Sequence, residues 1–143
     1  MCRQKHKRGA FSLIEMVIVI LILGIIAAVT APRMFDTAAK AEENSTKQQL
    51  AILRNAIEMY RAQFGAYPRN NLLKEDLRDS LNGPFPIPQT GSARGKTDIF
   101  YDSGTDPAAA VLTDASGSAG WSYRFSDGRL KLNVATGDPE YQW

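Results

Sequence analysis

The sequence has almost no cysteine or histidine, the residues on which many enzymes and metal sites depend. Cys2 is its only cysteine and His6 its only histidine. An internal disulfide, a Cys/His zinc site and a Ser-His-Asp triad are therefore excluded by inventory. The rest of the chain shows no acidic and basic residues at a spacing typical of a catalytic pair. We therefore predict a protein that is not an enzyme, with no cofactor and no metal site.

Positive charge is also scarce outside the first ten residues. Four of the 17 basic residues lie in that leader, which holds no acidic residue: Arg3, Lys5, Lys7 and Arg8. The rest of the chain carries all 15 acidic residues, and these outnumber the basic residues that remain. Because nucleic-acid binding needs an excess of positive charge against phosphates, we predict no nucleic-acid partner.

A long apolar run follows the basic leader. From Phe11 to Ala31 it reads FSLIEMVIVILILGIIAAVTA, which as a helix would span about 31 Å and so match a bilayer core of about 30 Å. The basic leader should stay cytoplasmic, which places the C-terminal body outside the cytoplasm. A removable secretory signal is disfavoured because the run is long, Glu15 interrupts its start and Pro32 follows its best cleavage site. A plain single-pass anchor stays open as an alternative.

The helical pattern continues beyond the apolar run. Apolar residues recur at steps of three and four as one stripe: Leu50, Leu53, Ile57, Tyr60 and Phe64. Charged residues between them form the predicted solvent face: Lys47, Arg54, Glu58 and Arg61. Gly65 and Pro68 supply a stop signal. If Pro32 only kinks the helix, one element runs from about Phe11 to Phe64.

Short elements are predicted for the C-terminal part. We expect a helix over Leu72 to Leu81, a strand at Ile99 to Tyr101 and a weaker strand near Ala110 to Leu112. A hairpin with a two-residue Asp127-Gly128 loop would pair Phe125 with Leu130, Tyr123 with Leu132 and Trp121 with Val134, all on one buried face. The opposite face would meet solvent: Ser122, Arg124, Lys131 and Asn133. The predicted fold is α+β, a long N-terminal helix packed on a small antiparallel sheet.

The segment around the end of the leader is the most informative. Lys7-Arg8-Gly9-Ala10-Phe11-Ser12-Leu13-Ile14-Glu15 resembles the class III signal of prepilins, with a basic leader, a small residue before the cut, then an aromatic, a hydroxyl residue and a glutamate at mature position five. Counted from Phe11, Gly24 and Pro32 also stand where type IV pilins and type II secretion pseudopilins carry them. The chain is therefore identified as a member of that family over about Arg8 to Pro32.

The resemblance implies a set of processing and assembly residues. A prepilin peptidase would cut between Ala10 and Phe11, and the amine of Phe11 would be methylated. The family usually has glycine before the cut, so cleavage between Gly9 and Ala10 stays open. The charge of Glu15 is costly in an apolar helix, and its own apolar segment offers no basic residue to neutralise it, so it could pair with the new amine of a neighbouring subunit. A hydrated Glu15 near the interface is the simpler alternative.

Gly24 and Pro32 are the other two assembly residues. The resemblance implies that the segment between them loses helical order on assembly, and glycine and proline both weaken a helix. Both are also common in ordinary membrane helices. Tyr60, Gly65, Tyr67 and Pro68, together with Trp121 and Tyr123, resemble positions in type II pseudopilins, although aromatics at these spacings are usually core.

Calcium is a further possibility that the family raises, because major pseudopilins can bind it in a C-terminal loop. The loop-rich zone has four acidic residues, Asp98, Asp102, Asp106 and Asp114, but no EF-hand pattern. Solvated loop carboxylates explain them more simply.

The predicted organisation has four parts: a leader at 1–10, a transmembrane and assembly helix at 11–32, the amphipathic half of the helix at 33–65 and a globular domain at 66–143 with its hairpin at 121–134. The predicted function is a structural filament subunit of a type II secretion system. Its partners would be other copies in a helical filament, the peptidase, an inner-membrane assembly platform and, before assembly, the lipid of the inner membrane. A type IV pilin, a DNA-uptake pilin and a membrane-anchored binding module are the alternatives.

Overall fold

A computed structural model describes residues 11–143, with the side chains of residues 32 and 33 left aside. The basic leader and the predicted cleavage residues Gly9 and Ala10 lie outside the described residues. The chain divides into two compact units, Met1–Ala38 and Ala39–Trp143.

One helix, α1, occupies the first half of the chain. It runs over Leu13–Phe64 and continues through Pro32, which confirms the predicted single element. Its C-terminal end is a glycine cap: Gly65 has a φ of 74°, and its N–H donates to the Arg61 carbonyl over 2.8 Å. A left-handed residue at this position satisfies a carbonyl that the helix leaves free, and glycine adopts it without strain.

The apolar stripe of α1 forms one wall of the core of the second unit. Leu50, Leu53 and Ile57 are buried as predicted, and the predicted charged face is exposed. Phe64 departs from the prediction, because its side chain is 60 % exposed. It lies in the last turn of the helix and contacts the ring of Tyr60, with 4.5 Å between the ring centroids.

Short helical pieces connect α1 to the sheet. The predicted helix over Leu72 to Leu81 is in fact a one-turn helix α2, Leu73–Asp76, followed by a 3₁₀ helix, Arg78–Ser80. Leu73 and Leu77 are fully buried in the core of the second unit. Because a helix this short has little stability of its own, packing decides its shape. Two more 3₁₀ helices cover Gly91–Ala93 and Pro139–Gln142.

The sheet has three strands in the order β1-β2-β3: β1 Asp98–Asp102, β2 Ala119–Arg124 and β3 Arg129–Leu132. The α+β layout and the strand at Ile99 to Tyr101 are confirmed. The sheet is mixed, however, because β1 is parallel to β2 and only β2 and β3 are antiparallel. A parallel neighbour needs a long crossover. The predicted strand at Ala110 to Leu112 belongs to that crossover, residues 103–118, and is not a strand.

The predicted hairpin exists in a different register. Trp121 pairs with Leu132 and Tyr123 with Leu130, so the predicted pairing and the two-residue loop were wrong. The turn holds four residues, 125–128, and the Gly128 N–H donates to the Arg124 carbonyl over 3.0 Å. A two-residue slip preserves the side-chain alternation. The apolar face therefore stays on the core, and the four paired side chains are buried.

The opposite face of the sheet is not exposed to solvent as predicted. Ser122, Arg124 and Asn133 are all buried, and Lys131 is half-buried. The crossover residues 103–118 lie against this face. The sheet of the second unit is thus covered on both sides, by α1 on one side and by a loop without regular structure on the other.

Candidate functional site

The N-terminal half of α1 presents an apolar surface that no other described residue covers. Phe11 and Leu13 are 76 % and 82 % exposed, and the apolar side chains that follow, up to Val29, are also exposed. By length and composition α1 is the one helix among the described residues that could cross a membrane. Signal sequences and buried core helices share this property, but here none of the apolar stretch is buried within the chain.

Glu15 lies at the start of this helix and has a local partner that the sequence analysis missed. The Ser12 backbone N–H donates to Glu15 Oε2 over 2.7 Å, immediately before the first helical residue, Leu13. This contact is one half of a capping box, in which a glutamate three residues after the cap accepts from the cap N–H. The sequence Ser12-Leu13-Ile14-Glu15 has the spacing of a capping box, so this contact was predictable. The Ser12 N–H is a hydrogen-bond donor and not a cation, so the Glu15 charge has no neutralising partner among the described residues of its own segment.

Between Gly24 and Pro32 the helix is continuous, and one threonine side chain in this stretch bonds to the helix backbone. The Thr30 hydroxyl donates to the carbonyls of Ile26 and Ala27, over 3.0 and 3.4 Å. Such back-bonding competes with the helix ladder and bends helices. Pro32 has no N–H with which to continue that ladder. Thr30 was not singled out from the sequence, although its position two residues before a proline was visible.

A shallow apolar notch surrounds Gly24. It encloses about 500 Å³ and is lined by residues that include Val17, Leu21 and Ala28. A Cβ atom added to Gly24 would meet nothing within 4 Å. The fold of a single copy therefore does not require glycine at this position.

The predicted site residues are spread along one helix and do not converge. Phe11 precedes α1, Glu15 lies in its first turn, and Gly24 and Pro32 follow at intervals of more than two turns. They do not form a pocket, because Glu15 and Gly24 are nine residues apart and so lie on opposite sides of the helix. A helix that exposes apolar side chains along its length suits contacts with lipid or with other helices rather than the binding of a small molecule.

The second unit contains a buried polar cluster centred on Arg124. Its guanidinium forms an ion pair with Asp102, with 2.7 Å between Nη2 and Oδ2, and both side chains are almost fully buried. The guanidinium also donates to the carbonyls of Asp106, Ala109 and Ala110 in the crossover, over 3.0, 3.0 and 2.6 Å. One arginine thus satisfies three carbonyls of a segment that has no strand partner.

Asp102 completes this cluster from the end of β1. Its Oδ1 accepts from the Gly104 N–H over 2.8 Å, and its Oδ2 accepts from the Leu112 N–H over 3.0 Å. Burial by itself raises the pKa of the Asp102 carboxyl, but these two hydrogen bonds and Arg124 outweigh burial, so the pKa lies below its ordinary value of 3.8. The cluster holds the crossover closed and presents no open cleft.

Acid is expected to destabilise the second unit partly through Asp102. A depressed pKa contributes stability that is present above the unfolded value and is lost as the pH falls through the folded value. Urea unfolding of residues 39–143 should show the free energy of unfolding falling from about pH 5 towards about pH 2. Asp102→Asn should flatten that slope. An unchanged slope in the variant would show that other carboxylates, such as Asp76, account for the acid sensitivity.

The four acidic residues of the loop-rich zone are separated in the structure. Asp102 is buried against Arg124, Asp98 accepts from the Ser118 hydroxyl, and Asp114 accepts from Ser116. Within residues 11–143, no group of three or more His, Cys, Asp or Glu side chains could hold a metal ion.

Two family models match consecutive parts of the chain. The prokaryotic N-terminal methylation motif matches residues 5–31, and the family model "Type II secretion system (T2SS), protein G" matches residues 33–84. Among curated relatives, the type II secretion system core protein G of Aeromonas hydrophila is 31 % identical over 91 residues, which cover 64 % of this chain and 62 % of that protein.

Two further relatives carry the same name. The protein from Vibrio cholerae is 29 % identical over 84 residues, 59 % of this chain and 58 % of that protein. The protein from Escherichia coli is 31 % identical over 82 residues, 57 % of either chain. This chain thus spans about three fifths of the length of the curated relatives it matches, and no solved structure matches it significantly. The resemblance drawn from residues 8–32 is confirmed, since the prokaryotic methylation motif matches that segment and the protein G model of type II secretion systems matches the residues that follow it.

Proposed function

We propose that this protein is a structural subunit of a filament in a type II secretion system, and that it assembles through the N-terminal half of α1. The observation that carries the proposal is an apolar helical surface that none of residues 11–143 covers, with one carboxylate, Glu15, at its start. Apolar side chains exposed over this length need lipid or other apolar helices around them. The similarity to proteins named type II secretion system core protein G supports the choice of system.

The precursor stage follows from the same surface. The apolar helix anchors the chain in the inner membrane, with the basic leader in the cytoplasm and the second unit outside it. The prepilin peptidase then cuts between Ala10 and Phe11, and the amine of Phe11 is methylated. The four-part organisation, with boundaries after residues 10, 32 and 65, belongs to this proposal.

Assembly replaces lipid by neighbouring helices. The capping bond from Ser12 gives the Glu15 carboxylate a donor but no counter-charge. The new amine of a neighbouring subunit supplies that charge, and the pairing offsets the cost of burying both groups. Gly24 is not required by the fold of one copy, and Thr30 and Pro32 weaken the helix beside it. We assign this stretch the role of yielding as the helices pack.

Replacing Glu15 tests the proposal, and the capping bond sharpens the test. Glu15→Leu removes both the charge and the acceptor, whereas Glu15→Gln keeps an acceptor for the Ser12 N–H and removes only the charge. Both variants should insert into the membrane and be cleaved, yet lose about tenfold or more of the filament, because each contact loses a buried ion pair. The measurement is the sheared filament against the membrane-bound pool.

Mass spectrometry of the mature chain is the control for processing. It should show a methylated N-terminus at Phe11 in the unchanged chain and in both variants. A chain that keeps its leader in cells with an active peptidase would contradict the proposed function. Normal filament yield from cleaved Glu15→Gln would show that the carboxylate acts only as a helix cap.

A further inference from the structure

A groove on the β3 edge of the second unit carries two cations that lack an anionic partner. It encloses about 420 Å³ between α1, β3 and the crossover. Arg54 and Lys131 line it, with Leu130 and Val111 as part of its apolar floor. No carboxylate among the described residues lies within 4 Å of either cation.

The two carboxylates that line the same groove are already paired. Asp127 lies 3.6 Å from Arg124 and 3.4 Å from Arg129, and Glu58 lies 3.8 Å from Arg61. The pKa of Lys131 is lowered, first by burial and then by the charge of Arg54. The positive field of the groove is therefore unbalanced, and an additional carboxylate would relieve it.

Arg54 also changes what the edge of the sheet can bind. Its Nε and Nη2 donate to the Leu130 carbonyl over 3.1 and 2.9 Å. An edge strand otherwise offers its free carbonyls to another strand. With this carbonyl occupied, a partner at the groove makes side-chain contacts rather than adding a strand.

The opposite edge of the sheet carries the complementary charge. There, a surface beside β1 is lined by Glu75, Asp98 and Tyr101, with Lys74 as its one cation. The Glu75 side chain is exposed and has no hydrogen bond or ion pair to any described residue. The pKa of Tyr101 is raised, first by burial and also by the charges of Glu75 and Asp76, so the field at this edge is negative.

A domain with complementary charges at opposite edges is suited to repeated head-to-tail contacts. Because β1 and β3 are the two outer strands of the sheet, one surface cannot reach the other within the same copy. A contact between unlike surfaces of identical chains leaves both ends free for further copies, and it closes into a ring or continues as a helical filament. We propose that Arg54 and Lys131 of one copy receive Glu75 of a second copy, as a lateral contact between subunits of the filament. The inference rests on the proposed filament function.

Charge reversal in the full chain tests the contact. Glu75→Lys alone and Lys131→Glu alone should each lower the filament yield about fivefold or more, because each places like charges together. The two changes in one chain should restore the yield, since the pair is rebuilt with its charges exchanged. Asp79→Lys makes the same change of charge on an exposed neighbour of Glu75 and should leave the yield unchanged.

Cross-linking provides a readout that misfolding cannot imitate. In a Cys2→Ser background, Glu75→Cys with Lys131→Cys should give a ladder of multimers on oxidation of the filament, and neither cysteine alone should give more than dimers. Filaments that form normally with Glu75→Lys, a double variant that stays defective, or cross-links only to another protein would each overturn the contact. An unchanged chain that is processed but never forms filaments would instead overturn the proposed function, and the contact with it.

Discussion

Replacing Arg124 with alanine is expected to destabilise residues 39–143 by about 3–5 kcal/mol, the usual cost of removing one partner of a buried ion pair. The change leaves the Asp102 carboxylate buried without a cation. It also leaves the carbonyls of Asp106, Ala109 and Ala110 without their donor. Urea unfolding of the purified segment measures the effect.

Arg129 is the matched control for this prediction. It is the cross-strand partner of Arg124, but its side chain is 49 % exposed. Arg129→Ala should cost less than about 1 kcal/mol, as is usual for an exposed ion pair. Equal losses in the two variants would show that the buried cluster does not hold the crossover in place.

Replacing Trp121 with alanine should cost the same segment about 3–5 kcal/mol, the range for truncating a buried large aromatic. The side chain is fully buried between α1 and the sheet, and its Nε1–H donates to the Pro86 carbonyl over 2.8 Å. The loss therefore combines a cavity with a carbonyl that has no donor. A calorimetric or chemical unfolding curve of residues 39–143 measures this loss in the free energy of unfolding.

Two variants separate these contributions. Trp121→Phe keeps most of the apolar volume and removes the donor, so a smaller loss, including about 1 kcal/mol for the hydrogen bond, is expected. Trp143→Ala removes a tryptophan that is only partly buried and should cost less than Trp121→Ala. If Trp121→Ala unfolds at the same denaturant concentration as the unchanged protein, this face of the sheet is not the core.

The long helix and the core face of the sheet were predictable because both depend on local periodicity. Leu50, Leu53 and Ile57 repeat at helical spacing, and Trp121 and Tyr123 alternate in a strand. The register in which the strands pair, in contrast, is not determined by this periodicity. The Asp127-Gly128 pair predicted a tight turn, but the turn in the structure begins at Phe125 and ends where the ring of Tyr67 lies against Gly128. That contact comes from another part of the chain.

The buried polar face could not be predicted for a related reason. Ser122, Arg124 and Asn133 alternate with apolar residues, which is the pattern of a solvent-exposed face. Their partners are backbone groups of the crossover and of Ala119, reached across ten to twenty residues of sequence. Contacts between side chains and the backbone of a loop follow no regular spacing in the sequence, so no pattern predicts them. The capping partner of Glu15, by contrast, was predictable, because a serine lies three residues earlier in the sequence.

The core of the second unit is completed late during synthesis, because its residues lie far apart in the sequence. The buried part of the α1 stripe ends at Ile57, while Leu130, Leu132 and Val134, which pack in the same core, come almost at the end of the sequence. At about 5–20 residues per second of synthesis, some 75 further residues take roughly 4–15 s. Throughout that interval the nascent chain presents a second apolar surface in addition to its N-terminal one. A chain interrupted before β3 would keep both surfaces exposed and would be a substrate for chaperones and proteases.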